Sequence, residues 1–267
     1  MKAYLAVFRI RFSHTIQYRA AAAAGMVTQY AWGFMELLMF SAFYRVSPEA
    51  FPMTFQQTVN YVWIQQAFLA LFMTWFWEME IFDTITSGSI AYEMARPLDL
   101  YGRWFCQSLA TRAARCVLRA LPILLVAFLI PGPLRMTLPP DAGQFVLFLV
   151  STVLALFVVV AFSMLIYISA FYTVSAVGMR VMAAVLVDFL AGGIVPLPFF
   201  PPFLRSIAEL LPFAAMQNMP LRIYSGNIAG ADALWGIALQ VFWLVVMGLA
   251  GRRWMRRAQA NVVVQGG

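Results

Sequence analysis

From Gly143 to Met179 the chain runs without one charged side chain. A helix needs roughly 20 apolar residues to cross the hydrocarbon layer of a bilayer, so this run holds a full crossing, a turn at the membrane face and the start of another helix. Helices of a soluble core of this size alternate apolar faces with charged ones, and these do not. Composition agrees: of 267 residues 63% are hydrophobic and only 11% charged, with 24 Phe and 8 Trp. That is the balance of an integral membrane protein.

Hydropathy places six crossings at about 21–44, 57–78, 113–131, 144–170, 179–197 and 233–251. The third is the weakest, because Arg115 and Arg119 lie on its first turns and must snorkel back to the headgroups. Residues 1–19 place Leu5, Phe8, Phe12 and Ile16 at spacings of three and four, with basic residues largely elsewhere on the turn. This pattern suits an amphipathic helix in the membrane interface, against lipid. A cleaved signal peptide fits less well, since the next segment carries Gln29 and Glu36 and runs on into further spans. Between the last two crossings, residues 198–232 are too apolar for a solvated loop and too rich in Pro for a full crossing, so they are expected to be short helices dipping into the outer leaflet. The expected fold class is thus an all-α integral membrane protein: an interface helix (1–19), a six-span unit (20–257) with an outer re-entrant helical region (198–232), and a flexible C-terminal tail (258–267).

The net charge is +7, and Lys2 is the only basic residue that is not Arg or the single His. The Arg residues stand between apolar segments and form no patch interleaved with exposed aromatics on a polar background, so nucleic acid is not an expected partner. They orient the chain instead. With both termini and the segment after span two inside, 14 basic residues face the cytoplasm; Arg45, Arg135, Arg205 and Arg222 make four outside. This is a strong positive-inside bias, and it predicts a multi-pass protein of the bacterial inner membrane with cytoplasmic termini.

Catalytic constellations are missing from the sequence. There is no G-x-x-x-x-G-K-[ST] loop, no H-E-x-x-H pair and no G-x-S-x-G elbow. His14 is the sole histidine, and Cys106 and Cys116 have no other soft ligands near them, so a zinc or haem site is not expected. No cofactor is expected in this chain. Glu78, Glu80 and Asp83 follow span two, where solvated charges are cheap, and are read as a surface group. Glu36 and Asp188, by contrast, fall inside spans and must face the bundle interior or a partner. With Gln65 and Gln66 they are candidates for a translocation path or for a polar helix interface.

The longest polar reach is Asp83–Phe105, "DTITSGSIAYEMARPLDLYGRWF". Within it, Gly88, Ile90, Arg96, Pro97 and Leu98 fit the pattern G-x-[IL]-x-x-x-L-x-R-P-[LI], with Met94 where Leu is usual. This segment resembles that of permease subunits of ABC-2 type exporters, particularly the viologen-exporter-like branch, and the resemblance extends over almost the whole chain. It implies two permease chains, identical or related, served by a dimer of a separate ABC-type ATPase that binds ATP and Mg. It also implies that residues 83–105 form part of the surface the ATPase grips, with Glu93, Arg96 and Asp99 meeting partner charges while Gly88 and Pro97 set the backbone. The aromatic and apolar spans suit export of a hydrophobic or amphipathic cargo, whether cation, drug, peptide or lipid. A membrane scaffold that anchors a soluble partner without transporting anything is the alternative from another class; an intramembrane enzyme or a proton-driven carrier is less well supported. The topology is open to direct test: Ala50→Cys should react with an impermeant reagent from outside, and Ser89→Cys only after permeabilisation, the reverse pattern overturning the orientation.

Overall fold

The computed structural model describes residues 1–173 and 175–262, so the last five residues of the expected tail lie outside the described residues. Twelve α-helices and no strand occur among the described residues. In chain order they are α1 (Lys2–Ile16), α2 (Arg19–Val46), α3 (Phe55–Phe72), α4 (Met79–Thr86), α5 (Ile90–Met94), α6 (Leu100–Leu129), α7 (Ala142–Ser169), α8 (Ala176–Leu190), α9 (Pro202–Leu210), α10 (Pro212–Met216), α11 (Asn218–Ser225) and α12 (Gly230–Ala260).

Local chemistry explains many of the boundaries. Thr54 and Gln57 exchange side-chain and backbone hydrogen bonds as a capping box at the start of α3. Asp99 and Asp141 accept from the amides of Gly102 and Gln144, both at 2.8 Å, and so open α6 and α7. α8 ends in a Schellman turn: Gly192 has φ +77°, the Gly193 amide donates to the Asp188 carbonyl at 2.9 Å, and the Gly192 amide donates to Phe189. Gly226, with φ +74°, closes α11 in the same way through Asn227 N–H to Arg222 C=O at 3.1 Å.

The long helices alternate in direction. α2 lies antiparallel to α3, with the Gln29 amide donating to the Gln66 carbonyl near one end and Tyr44 contacting Thr58 near the other. α3 is antiparallel to α6: Arg112 reaches Leu71 and Met73, while Asn60 and Trp63 bond to Thr137 and Leu134 beyond the far end of α6. α12 lies alongside α7 and runs the same way, and the two are pinned by Ser151 and Gln240. α1 and then α2 pass along α6 in the same direction as α6, from Tyr4 beside Gly102 through Arg11 at Thr111 to Gly25 under Arg119. The start of α1, the α4–α5 segment and the end of α12 therefore share one end of the bundle, where Tyr101 lies against both Gly251 and Arg252.

Three helix limits differ from the expected spans. The second expected crossing, 57–78, loses its helix at Phe72 because the Arg112 guanidinium takes the carbonyls of Leu71 (3.2 Å) and Met73 (2.6 Å), which continuing turns would have used. The third begins at Leu100 rather than 113, since the Asp99 cap nucleates helix well before the apolar stretch. The fifth stops at Leu190, at the Schellman turn. With 15 residues α8 reaches only about 22 Å, less than a hydrocarbon core. α12 also carries helix two residues past Ala258, where the tail was expected to begin.

α3 sits at the centre of the bundle, touching α2, α6, α7 and α11, and α11 is buried at every residue. The outer faces are apolar. Val181, Val185, Phe242, Leu249, Leu38 and Phe43 all stand exposed on α8, α12 and α2, a belt that only lipid or a partner can cover. α7 and α12 are long and apolar enough to cross a membrane by length and composition alone.

Within this belt Gln240 is fully buried and fully satisfied: its amide nitrogen donates to the carbonyls of Ser151 (3.1 Å) and Ala215 (2.9 Å), and its oxygen accepts from the Ser151 hydroxyl (3.0 Å). It ties α7, α10 and α12 together. Gln240→Leu leaves these partners unmet, at a cost of about 1–3 kcal/mol. A lowered unfolding temperature in detergent is expected, and an unchanged one would show that the junction adds nothing.

A candidate coupling surface at the basic end

The segment after α3 is anchored on one side and open on the other. Ile81 and Phe82 of α4, Ile90 of α5 and Leu100 of α6 are buried with Trp104 and Tyr167 in one apolar cluster. Phe82 packs edge-on to Tyr167, their centroids 5.1 Å apart, and carries the Arg180 guanidinium over its other face at 5.0 Å. Gly88 makes the corner between α4 and α5 at φ +74°, with open space where a side chain would stand. Its requirement is conformational rather than steric. The Ser87 and Ser89 hydroxyls meet at 2.8 Å across that corner.

The five expected coupling residues divide by what they touch. Glu93 is paired with Arg103 at the start of α6 and, at 3.5 Å, with Arg96. Asp99 is engaged as the cap of α6. Both carboxylates are thus held within the chain. Arg96 is 61% exposed, Pro97 is exposed beside it, and Tyr92 stands 79% exposed on α5. The ion pairs and the buried isoleucines fix the corner, and Tyr92, Met94, Arg96 and Pro97 are its outward face.

Behind it lies a polar junction that the sequence did not reveal. Arg11 of α1 donates to Glu78 at 2.6 Å, to both oxygens of Glu80 at 3.0 and 3.2 Å, and to Thr111 of α6 at 3.2 Å. Burial opposes the charge of Arg11, but Glu78 and Glu80 outweigh it and the guanidinium pKa is raised overall. The Glu78 amide donates to the Tyr167 hydroxyl of α7 at 2.9 Å. Nearby, Arg112 is buried, with its third contact to Ser163 of α7 at 3.2 Å. Glu78 is therefore not a solvated surface charge as expected; it is 8% exposed, because Arg11 and the broken end of α3 enclose it. Glu80 and Asp83 are exposed as read. The signal available in the sequence was the spacing Tyr4, Phe8, Arg11, Thr15, one face of α1 on which the Arg marks a docking side rather than a lipid side. A groove of about 530 Å³ opens between α1, α4 and α6, lined by Arg11, His14, Glu80, Glu93, Arg96 and Arg103.

The four polar candidates inside the bundle separate into two places. Glu36 of α2 lies beside Gln66 of α3, with one carboxylate oxygen enclosed and without a hydrogen-bond partner, where Gly33 lets α2 approach Trp63 and Gln66 closely. Gln65, on the next face of α3, donates to the Gly193 carbonyl at 2.8 Å, and Tyr61 one turn earlier donates to Gly192 at 3.1 Å. Asp188 contributes its backbone carbonyl to that same turn, and among the described residues its carboxylate accepts no hydrogen bond. Gln65 thus meets the end of α8, while Glu36 and Gln66 form a separate α2–α3 contact.

No curated protein matches the chain by sequence. The model of a family described as ABC-2 family transporter protein matches residues 30–260, from within α2 to the last residue of α12 and including the α4–α5 corner. That match takes in most of the chain, and the chain belongs to the ABC-2 transporter family as a membrane permease component.

Proposed function

We propose that this chain is the transmembrane subunit of an ATP-driven exporter of the viologen-exporter-like branch, and that α4–α5 is the surface through which a partner ATPase moves it. The observation that carries this reading is the two-sidedness of the corner. Its inward groups are committed to α6 and α7, so a push on Tyr92, Arg96 or Pro97 is delivered to helices and not absorbed by a loop. ATP and Mg would belong to the partner, since the sequence has no phosphate-cradling loop of its own.

In this reading six spans cross the bacterial inner membrane, the fifth made of the short α8 and the turn residues that follow it, with the basic end of the bundle in the cytoplasm. A second permease chain, identical or related, would cover part of the exposed apolar belt. A hydrophobic or amphipathic cargo suits the opposite end of the bundle, where a cavity of about 970 Å³ is lined by Phe43, Phe51, Phe199 and Phe200 together with Glu49 and Glu209. Aromatic walls accept apolar bodies, including those that carry positive charge; Glu49 is the carboxylate available to such a charge, since Glu209 is paired with Arg205 on the same wall and with Arg222.

The exposed and inward charges of the corner should behave differently. Arg96→Glu should leave membrane insertion unchanged and the unfolding temperature near wild type, because its 3.5 Å contact to Glu93 is solvent-exposed while Arg103 still holds Glu93, and should lower the ATPase copurified per permease about tenfold, with a parallel loss of substrate-stimulated ATP hydrolysis. Glu93→Lys should instead lower the unfolding temperature, because it sets a cation against Arg103. Wild-type association and stimulation in Arg96→Glu and in Pro97→Ala would remove α4–α5 from the coupling surface.

A further inference from the structure

We infer that the cavity between α1, α2 and α6 is a binding site for the phosphate of an anionic phospholipid, with Arg115 and Arg119 as its ligands. The cavity measures about 330 Å³ and is lined by both arginines together with His14, Tyr18, Phe76 and Glu80. Arg115 and Arg119 stand one turn apart on α6, so their like charges repel. Neither joins an ion pair among the described residues, and Arg119 Nε is enclosed without a partner. The one carboxylate on the cavity wall, Glu80, is already held by Arg11 and by Gln107 at 3.3 Å.

Position makes this pair costly. Arg119 lies ten residues before the end of α6, about 15 Å along the axis, well inside an apolar stretch. A guanidinium there needs a counter-charge or a path to the headgroup layer. The architecture supplies room for one. Gly25 of α2 leaves the Arg119 guanidinium lying on the backbone, where a Cβ would come within 2.8 Å of its Cζ. Arg115 lies over the Phe76 ring at 5.3 Å, and both residues line the cavity. Two guanidinium forks one turn apart match the oxygens of a phosphate diester. The surrounding apolar faces of α2 and α6 suit acyl chains better than water, which favours a lipid over a soluble anion. α1, running across the mouth, would be seated by the same headgroup.

The test uses the full chain in phosphatidylcholine nanodiscs with and without phosphatidylglycerol. Phosphatidylglycerol should raise the unfolding temperature, and native mass spectrometry should find it retained. The double variant Arg115→Gln, Arg119→Gln should lose the shift and retain less of the lipid by on the order of tenfold or more. Removing the same charge from exposed positions of α12, by Arg256→Gln and Arg257→Gln, should leave both readouts near wild type. Should the double variant fail to fold in phosphatidylcholine, Gly25→Val keeps both charges while filling the seat of Arg119, and it too should lose retention. Equal shifts in the α12 and α6 variants, or no phosphatidylglycerol preference in the wild type, would overturn the site. An equal shift from inorganic phosphate in phosphatidylcholine alone would assign it to a soluble anion and overturn the lipid.

Discussion

Much of the basic end of this bundle depends on where the Arg112 side chain goes. It is buried where α3 stops, and its donors take two carbonyls at the end of α3 and the hydroxyl of Ser163. A cation at a helix C-terminus is favoured by the carbonyl dipoles that converge there. Once the helix has ended, the chain turns at Met73–Glu78 and places α4 beside α1. Glu78 then meets Arg11 by its carboxylate and Tyr167 by its amide. Three separate stretches of sequence, α1, the α3–α4 break and α6–α7, become one unit through groups that would be expensive to leave unmatched in an apolar setting.

That unit explains why a segment as short as α5, with five residues, can be ordered at all. Isolated helices of this length are not stable. Here Ile90 is buried against Trp104 and Tyr167, Glu93 is paired with Arg103, and Gly88 and Asp99 fix the two ends of the corner. The remaining side chains, which the fold does not use, face outward together. A rigid corner joined to long helices is the mechanical element that the proposed coupling to an ATPase calls for.

Some of this was legible in one dimension. The charge-free run 143–179 sets α7 and the start of α8, the alternation of apolar stretches sets the helical class, and the motif from Gly88 to Leu98 locates the corner and identifies the family. What escaped was long-range. Arg112 reads as one more basic residue at the membrane face until a helix 39 residues earlier is seen to end against it. Glu78 and Glu80 look alike in sequence, yet only Glu78 is enclosed, because α1 lies over it. Asp188 and Gln65 look like members of one polar set, but a Schellman turn at Gly192 brings Gln65 to the backbone beyond Asp188 and not to its carboxylate. Helix ends depart from hydropathy where side chains from other helices, or glycine turns, override it.

The proposed coupling requires the outward face of α5 to touch an ATPase. A photoreactive amino acid in place of Tyr92 tests it in intact membranes, with the same replacement at Phe203, which is 80% exposed at the opposite end of the bundle, as reference. An adduct is expected from position 92 whose partner yields peptides containing a G-x-x-x-x-G-K-[ST] loop, and none from position 203. Such an adduct from position 203, or its absence from position 92 in membranes that contain the assembled transporter, would contradict that coupling.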